Sequence, residues 1–179
     1  DMKAELFVNN TKLSLGHRDL VEFAIILDDN DKNKDILHEM AKSKCPQIRS
    51  HIASFQGLHS KTYHMFLDDN SIDVIRSLTC HATSYSHMKR KDLDRFISIG
   101  DSEITSGILG NLYEIVEEYR ICKQDWIYKK LVNVEDPAIR LELADSEETP
   151  IDILEKLIVD ADVDVSEAAK RTIDRIDSL

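Results

Sequence analysis

Apolar residues recur three or four positions apart through most of the 179-residue chain, in short segments separated by polar turns. That period gathers them into one stripe along an α-helix. One set of stripes reads Ile36, Leu37 and Met40, or Ile127, Leu131 and Val132. A second set reads Ile48, Ile52 and Phe55; Ile75, Leu78 and Cys80; Ile139, Leu143 and Ala144; Val165, Ala168, Ala169 and Ile173. Aligning the openings of the second set places Ile48-Arg49, Ile75-Arg76, Ile104-Thr105, Ile139-Arg140 and Val165-Ser166 in register, at spacings of 27, 29, 35 and 26 residues. Fourteen residues before each second member stand Asp35, Thr62, Lys91, Trp126 and Asp152, the expected starts of the preceding helices. Helices this short cannot bury their stripes alone, so each pair needs neighbouring pairs to complete a core. With only five glycines and three prolines, helices joined by short turns are favoured over a fold rich in reverse turns.

The ends of these helices carry their own signals. Thr149-Pro150 with Asp152 reads as a cap followed by proline at the first helical position, and Ser71 with Asp73 and Asp101 with Glu103 set carboxylates in first turns. The surplus in the 35-residue spacing falls at Leu112–Arg120 and predicts a lengthened helix over 103–119. The first 16 residues, with Asn9-Asn10 and Gly16, match no unit and read as a short helix or loose lead-in before a helix at His17 to Leu27. The expected layout is a single domain over 1–179: a lead-in and cap helix over 1–32, then about five repeat units over 33–179. About ten or eleven helices and no sheet are expected.

Two stretches carry a family resemblance: Asp136-Pro-Ala-Ile-Arg-Leu-Glu-Leu-Ala, and Thr149-Pro-Ile-Asp-Ile-Leu-Glu-Lys-Leu-Ile-Val-Asp-Ala-Asp-Val-Asp-Val. They resemble the HEAT-like α-solenoid superfamily and, in repeat length, the short leucine-rich-repeat-variant units of bacteria. The likeness implies an all-α fold, a right-handed α-solenoid of about five stacked helix pairs, and specifies architecture more than activity. An iron–sulfur cluster associated with one variant-repeat protein needs clustered cysteines. Here Cys45, Cys80 and Cys122 are far apart, so no cofactor is expected.

Charge narrows the choice of partner. The net charge of −11 disfavours a general nucleic-acid binder, since phosphate neutralisation needs clustered Lys and Arg. From Glu135 onward 14 acidic residues face 5 basic ones, net −9, which makes the C-terminal third the acidic end. No apolar run approaches the roughly 20 residues that cross a bilayer, so no membrane partner is expected. Three scattered cysteines, odd in number, suggest a reducing compartment and a cytoplasmic location. The chain starts at Asp1 without an initiator methionine, which suggests a fragment or processed product.

The candidate binding residues are Arg49, Arg76 and Arg140, a row of forked donors on successive second helices, and Glu147, Glu148 and Asp160 at the acidic end. The arginines could grip anionic groups of a partner, or tie adjacent units together through acids such as Asp73 or Asp136. His51, His59, His64, His81 and His87 cluster without the tight pairs that zinc prefers, and no metal is expected. Cys80 and Cys122 occupy apolar positions of helices and are expected to pack inside. His87-Met-Lys-Arg-Lys91 is the only basic run, and Trp126 is the only tryptophan. The reading that follows is a non-catalytic module binding a protein or peptide, a basic one for the acidic end. The alternative is a nucleic-acid-processing or enzyme-associated repeat domain of the DNA-glycosylase-like HEAT type, using Lys89 to Arg95.

Overall fold

The computed structural model describes residues 2–178; Asp1, Leu179 and the His17 side chain lie outside the described residues. The chain divides into two compact units, the first running to Met88 and the second starting at Lys89. Most of both is helical, as the 3.6-residue period requires, and among the described residues no helix is long and apolar enough to cross a membrane.

The first unit opens with β1 (Ala4–Val8) and β2 (Thr11–Leu15), an antiparallel pair with Leu6 opposite Leu13 and Val8 opposite Thr11. This hairpin corrects the expectation of a short helix or loose lead-in and of a chain without sheet. Its cause is the two-residue Asn9-Asn10 turn, whose φ angles of 47° and 67° are the positive values that the favoured two-residue hairpin loop requires at both central positions. Asparagine reaches that region at small cost. One face carries Leu6, Val8 and Leu13, all exposed; on the other, Glu5 and Lys12 pair at 2.5 Å.

The helices that follow are α1 (His17–Ile26), α2 (Lys34–Met40), α3 (Pro46–Ala53), α4 (Ser60–Leu67), α5 (Ile72–Thr79) and α6 (Ala82–Tyr85). Helix α3 packs against α1 and α5, with α2 and α4 laid on the same group. Ile48, Ile52, Ile75 and Leu78 are buried in it, as their stripe requires, together with Tyr63, Phe66 and Tyr85. An apolar side chain of this size contributes about 1.5–3 kcal/mol on leaving water. Ile36 departs from its stripe and is exposed, while Leu37 and Met40 are buried. Between α3 and α4 the chain is held by Asp29, whose carboxylate accepts the backbone N–H groups of Gln56 at 2.6 Å and Gly57 at 2.9 Å. A Cβ on Gly57 would stand 2.5 Å from Asp29 Oδ1, so any larger residue there would push the carboxylate away from these two amides.

The second unit contains α7 (Arg90–Ser98), α8 (Ser102–Leu109), a π-helical turn (Glu114–Glu118), α9 (Gln124–Leu131), α10 (Pro137–Asp145), α11 (Ile151–Leu157) and α12 (Val163–Asp177). Helix α10 packs against α8, α11 and α12, burying Ile104, Ile108, Ile139, Leu143, Leu157, Val165 and Ala168. The expected cap holds at Asp101, which accepts from Ile104 N–H at 3.1 Å, and Asp136 and Asp162 cap α10 and α12 in the same way. At α11 the cap position falls on Pro150 rather than Thr149, which is buried.

The lengthened helix expected over 103–119 is instead two pieces. Helix α8 stops at Gly110, where the Asn111 side chain donates to the Gly107 carbonyl at 2.7 Å. The surplus residues form the wide turn, in which Tyr119 N–H reaches the Glu114 carbonyl, five residues back, at 2.8 Å. Ile115 anchors this turn in the core. Arg120 follows with φ of 50°, in the left-handed region that arginine rarely adopts, and leads the chain toward Lys123 and α9.

Candidate functional site

Arg49 and Arg140 occupy equivalent places on α3 and α10 and share three bonds, to which Arg140 adds one from Nη1 to the Glu135 carbonyl at 2.8 Å. Arg49 Nε and Nη2 donate to the two Asp69 oxygens at 2.7 and 3.0 Å, and Nη1 donates to the Ser43 carbonyl at 2.8 Å. Arg140 Nε and Nη2 donate to the two Asp160 oxygens at 2.7 and 3.0 Å, and Nη1 donates to the Val134 carbonyl at 2.8 Å. Each aspartate also accepts the backbone amide two residues on, of Ser71 or Asp162, at 2.9 Å. Such a bidentate fork joins one helix pair to the turn of the next. The acids that do this are Asp69 and Asp160, not Asp73 or Asp136, because the partner must lie in the turn between the following two helices.

The electrostatics match the geometry. Hydrogen bonds to Asp69 and Asp160 hold the two guanidinium groups above their ordinary value. Burial pushes the Asp69 carboxyl up, but Arg49 and the surrounding amides outweigh it and hold the group low. At Asp160 the bonds from Arg140 dominate and lower it. Arg76 on α5 reaches Asp73 in its own helix at 3.4 Å. In the two units lacking arginine, Thr105 Oγ1 donates to the Asp101 carbonyl at 2.9 Å and Ser166 Oγ to the Ile158 carbonyl at 2.5 Å.

The acidic candidates separate. Asp160 is held by Arg140, and Glu147 pairs with Arg175 Nε at 3.0 Å. Glu148 is exposed and, among the described residues, its carboxylate makes no ion pair, although its carbonyl accepts from Tyr128 Oη at 3.4 Å. The same segment presents Val159 at 81 % and Val163 at 66 % exposure, flanked by the exposed Glu155 and Asp164.

The histidines do not converge. His38 Nδ1 lies 2.8 Å from Thr62 Oγ1, His81 Nε2 lies 2.9 Å from the Ala53 carbonyl, and His59 pairs with Asp35 at 3.0 Å. The His51 ring meets the Phe55 ring edge-on, with centroids 5.1 Å apart. His87 stacks on Tyr63 at 4.4 Å and meets His64 edge-on at 5.8 Å. Burial, then the nearby His64, holds His87 below its ordinary value. Among the described residues no group of three His, Cys, Asp or Glu side chains could hold a metal ion. Cys80 is exposed, a correction to its expected packing, because Thr79 takes the buried position and bonds back to the Ile75 carbonyl at 2.9 Å. Cys122 is half-buried, and burial pushes its thiol up to about 11.

One constellation joins residues far apart in sequence. The Arg90 guanidinium lies 4.7 Å from the centre of the Trp126 ring, and Lys130 Nζ lies 5.6 Å from it. An open groove beside them is lined by Arg90, Val116, Arg120, Cys122, Lys123 and Trp126. Asp125, the acid on its wall, pairs with Lys129 at 3.2 Å, and Lys130 is held by Asp94 at 2.5 Å. Arg120 and Lys123 carry no motif; the positional signal for them is only that they close the surplus segment before Trp126. No protein-family model, no curated protein and no solved structure matches the chain.

Proposed function

We propose that this chain is a non-catalytic interaction module, a right-handed HEAT-like stack of helix pairs that docks a basic, partly apolar protein or peptide on its acidic C-terminal end. What supports the stack is the shared Arg–Asp fork and the packing of α3 between α1 and α5 and of α10 between α8 and α12. The observation that carries the binding reading is the exposure of Val159 and Val163 among Glu155, Asp162 and Asp164. An apolar patch bordered mainly by acids, with the exposed Lys156 among them, suits a partner of opposite charge: the field speeds encounter, and the valines add contact area once it docks. Asp162 is committed to capping α12, so Glu155 and Asp164 are the charges left to face a partner.

The test is site-specific photo-cross-linking from position 163 in the native cell, with Lys170 as a control position. The reading predicts one dominant basic partner, captured from position 163 and lost on Glu155→Lys with Asp164→Lys. Equal yields from the two positions, or capture unaffected by the charge reversals, would contradict it.

A further inference from the structure

The groove of the second unit gathers basic side chains in a chain of net charge −11, and its charges are not spent internally. Among the described residues, no carboxylate forms an ion pair with Arg90, Arg120 or Lys123. Elsewhere in the unit Lys129, Lys130, Arg140, Arg171 and Arg175 are each paired, while the exposed Lys89, Lys91, Lys156 and Lys170 are, among the described residues, likewise without an ion pair but line no such groove. Three further observations point the same way. Arg90 is held in place by its contact with Trp126, so its guanidinium is already positioned beside the opening. Arg120 keeps a long cationic side chain at a φ of 50°, where glycine or asparagine would be the unstrained choice. Lys123 is the N-cap of α9, the end at which the helix dipole disfavours a cation, and it makes no capping bond. The groove therefore gathers two guanidinium groups, one ammonium and the positive end of an eight-residue helix around one opening, against one lining carboxylate, Asp125, which Lys129 pairs at 3.2 Å.

We infer that this groove binds a phosphomonoester dianion, with Arg120 and Lys123 taking the phosphoryl oxygens and Arg90 donating from the face of Trp126. A dianion suits it better than a carboxylate because three cations and the helix end favour the doubly charged group, whereas the planar guanidinium forks would match the oxygens of either. The carrier is either a free phosphate group or a nucleotide whose ring lies against Trp126. This inference is independent of the protein-binding reading, which concerns the α11–α12 end.

The experiment is isothermal titration of the full chain with AMP, inorganic phosphate, adenosine and acetate at low salt, with fluorescence followed in parallel. Trp126 is the only tryptophan, so a change in tryptophan emission reports from the groove itself. Phosphate or AMP should bind with a Kd on the order of 10–500 μM, and acetate and adenosine at least about tenfold more weakly. Affinity should fall as salt rises. Tighter binding of AMP than of phosphate identifies the nucleotide as carrier; equal affinity identifies the phosphoryl group alone. Arg120→Gly, which suits the backbone, and Lys123→Gln should each weaken binding about tenfold or more, while Lys170→Gln should leave it unchanged. No heat from either phosphate ligand up to about 10 mM, or unaltered affinity in both groove variants, would overturn the inference.

Discussion

Arg140 and Asp160, 20 positions apart, form the same three-donor fork that Arg49 and Asp69 form across the same interval in the other compact unit. Each arginine spends its planar donor set on a largely buried aspartate and a loop carbonyl, so the pair orients a turn as well as neutralising charge. Removing one partner strands the other. Arg140→Met, which keeps the aliphatic stem, is expected to cost about 2–4 kcal/mol in urea melts, and adding Asp160→Asn should cost little more. Additive losses in that double-mutant cycle would show that the fork is not a coupled unit.

The forks also set an acid response. The Asp69 and Asp160 carboxyls are held below the ordinary aspartate value in the folded chain by their arginines and neighbouring amides. With the folded value below the unfolded one, their stabilisation is complete above the unfolded value of about 3.9 and is lost as pH falls through the folded values. Urea midpoints should therefore be insensitive to these groups between about pH 5 and 7 and drop below about pH 4. The Arg49→Met, Arg140→Met double variant should show a shallower acid fall; an unchanged acid profile would contradict the assignment.

Leu131 and Leu157 sit on α9 and α11, each at most 1 % exposed. Truncating either to alanine leaves a cavity that the packed helices cannot refill, at an expected cost of about 2–5 kcal/mol. A loss below about 0.5 kcal/mol in denaturant melts would place the side chain outside the core.

Gly57→Ala is expected to destabilise by about 1–3 kcal/mol, because the new Cβ displaces the Asp29 carboxylate from two backbone N–H groups. Asp29→Ala should cost a similar amount, and the two changes together little more than either alone. Full additivity in thermal melts would separate the clash from the lost bonds.

Much of the helical layout was legible in the sequence. The observed first helices begin within two residues of Asp35, Thr62, Lys91, Trp126 and Asp152, since a 3.6-residue period and caps such as Asp101 and Asp136 are local signals. The hairpin was hidden because its turn is Asn9-Asn10 rather than the more telling Asn-Gly, and its apolar residues stay exposed. Arg120 concealed the break in the long segment, since nothing in its type announces a left-handed residue. The Asp69 and Asp160 pairings, and the meeting of Arg90 with Trp126, depend on tertiary placement of separate helices, to which periodicity is blind.

Recruitment of a basic partner by the acidic end rests on charges that the fold leaves unspent. Reversing Asp160 or Glu147 would break internal pairs and confuse binding with folding, so the informative changes are Glu155→Lys and Asp164→Lys, both at exposed positions without ion pairs among the described residues. The measurement is the association rate of this double variant with the partner cross-linked at position 163, taken across a series of salt concentrations. A basic docking partner predicts a slower rate at low salt and a flatter salt dependence, with the melting temperature nearly unchanged. Association kinetics identical to those of the unaltered chain at every salt concentration would contradict the proposed role of the acidic end.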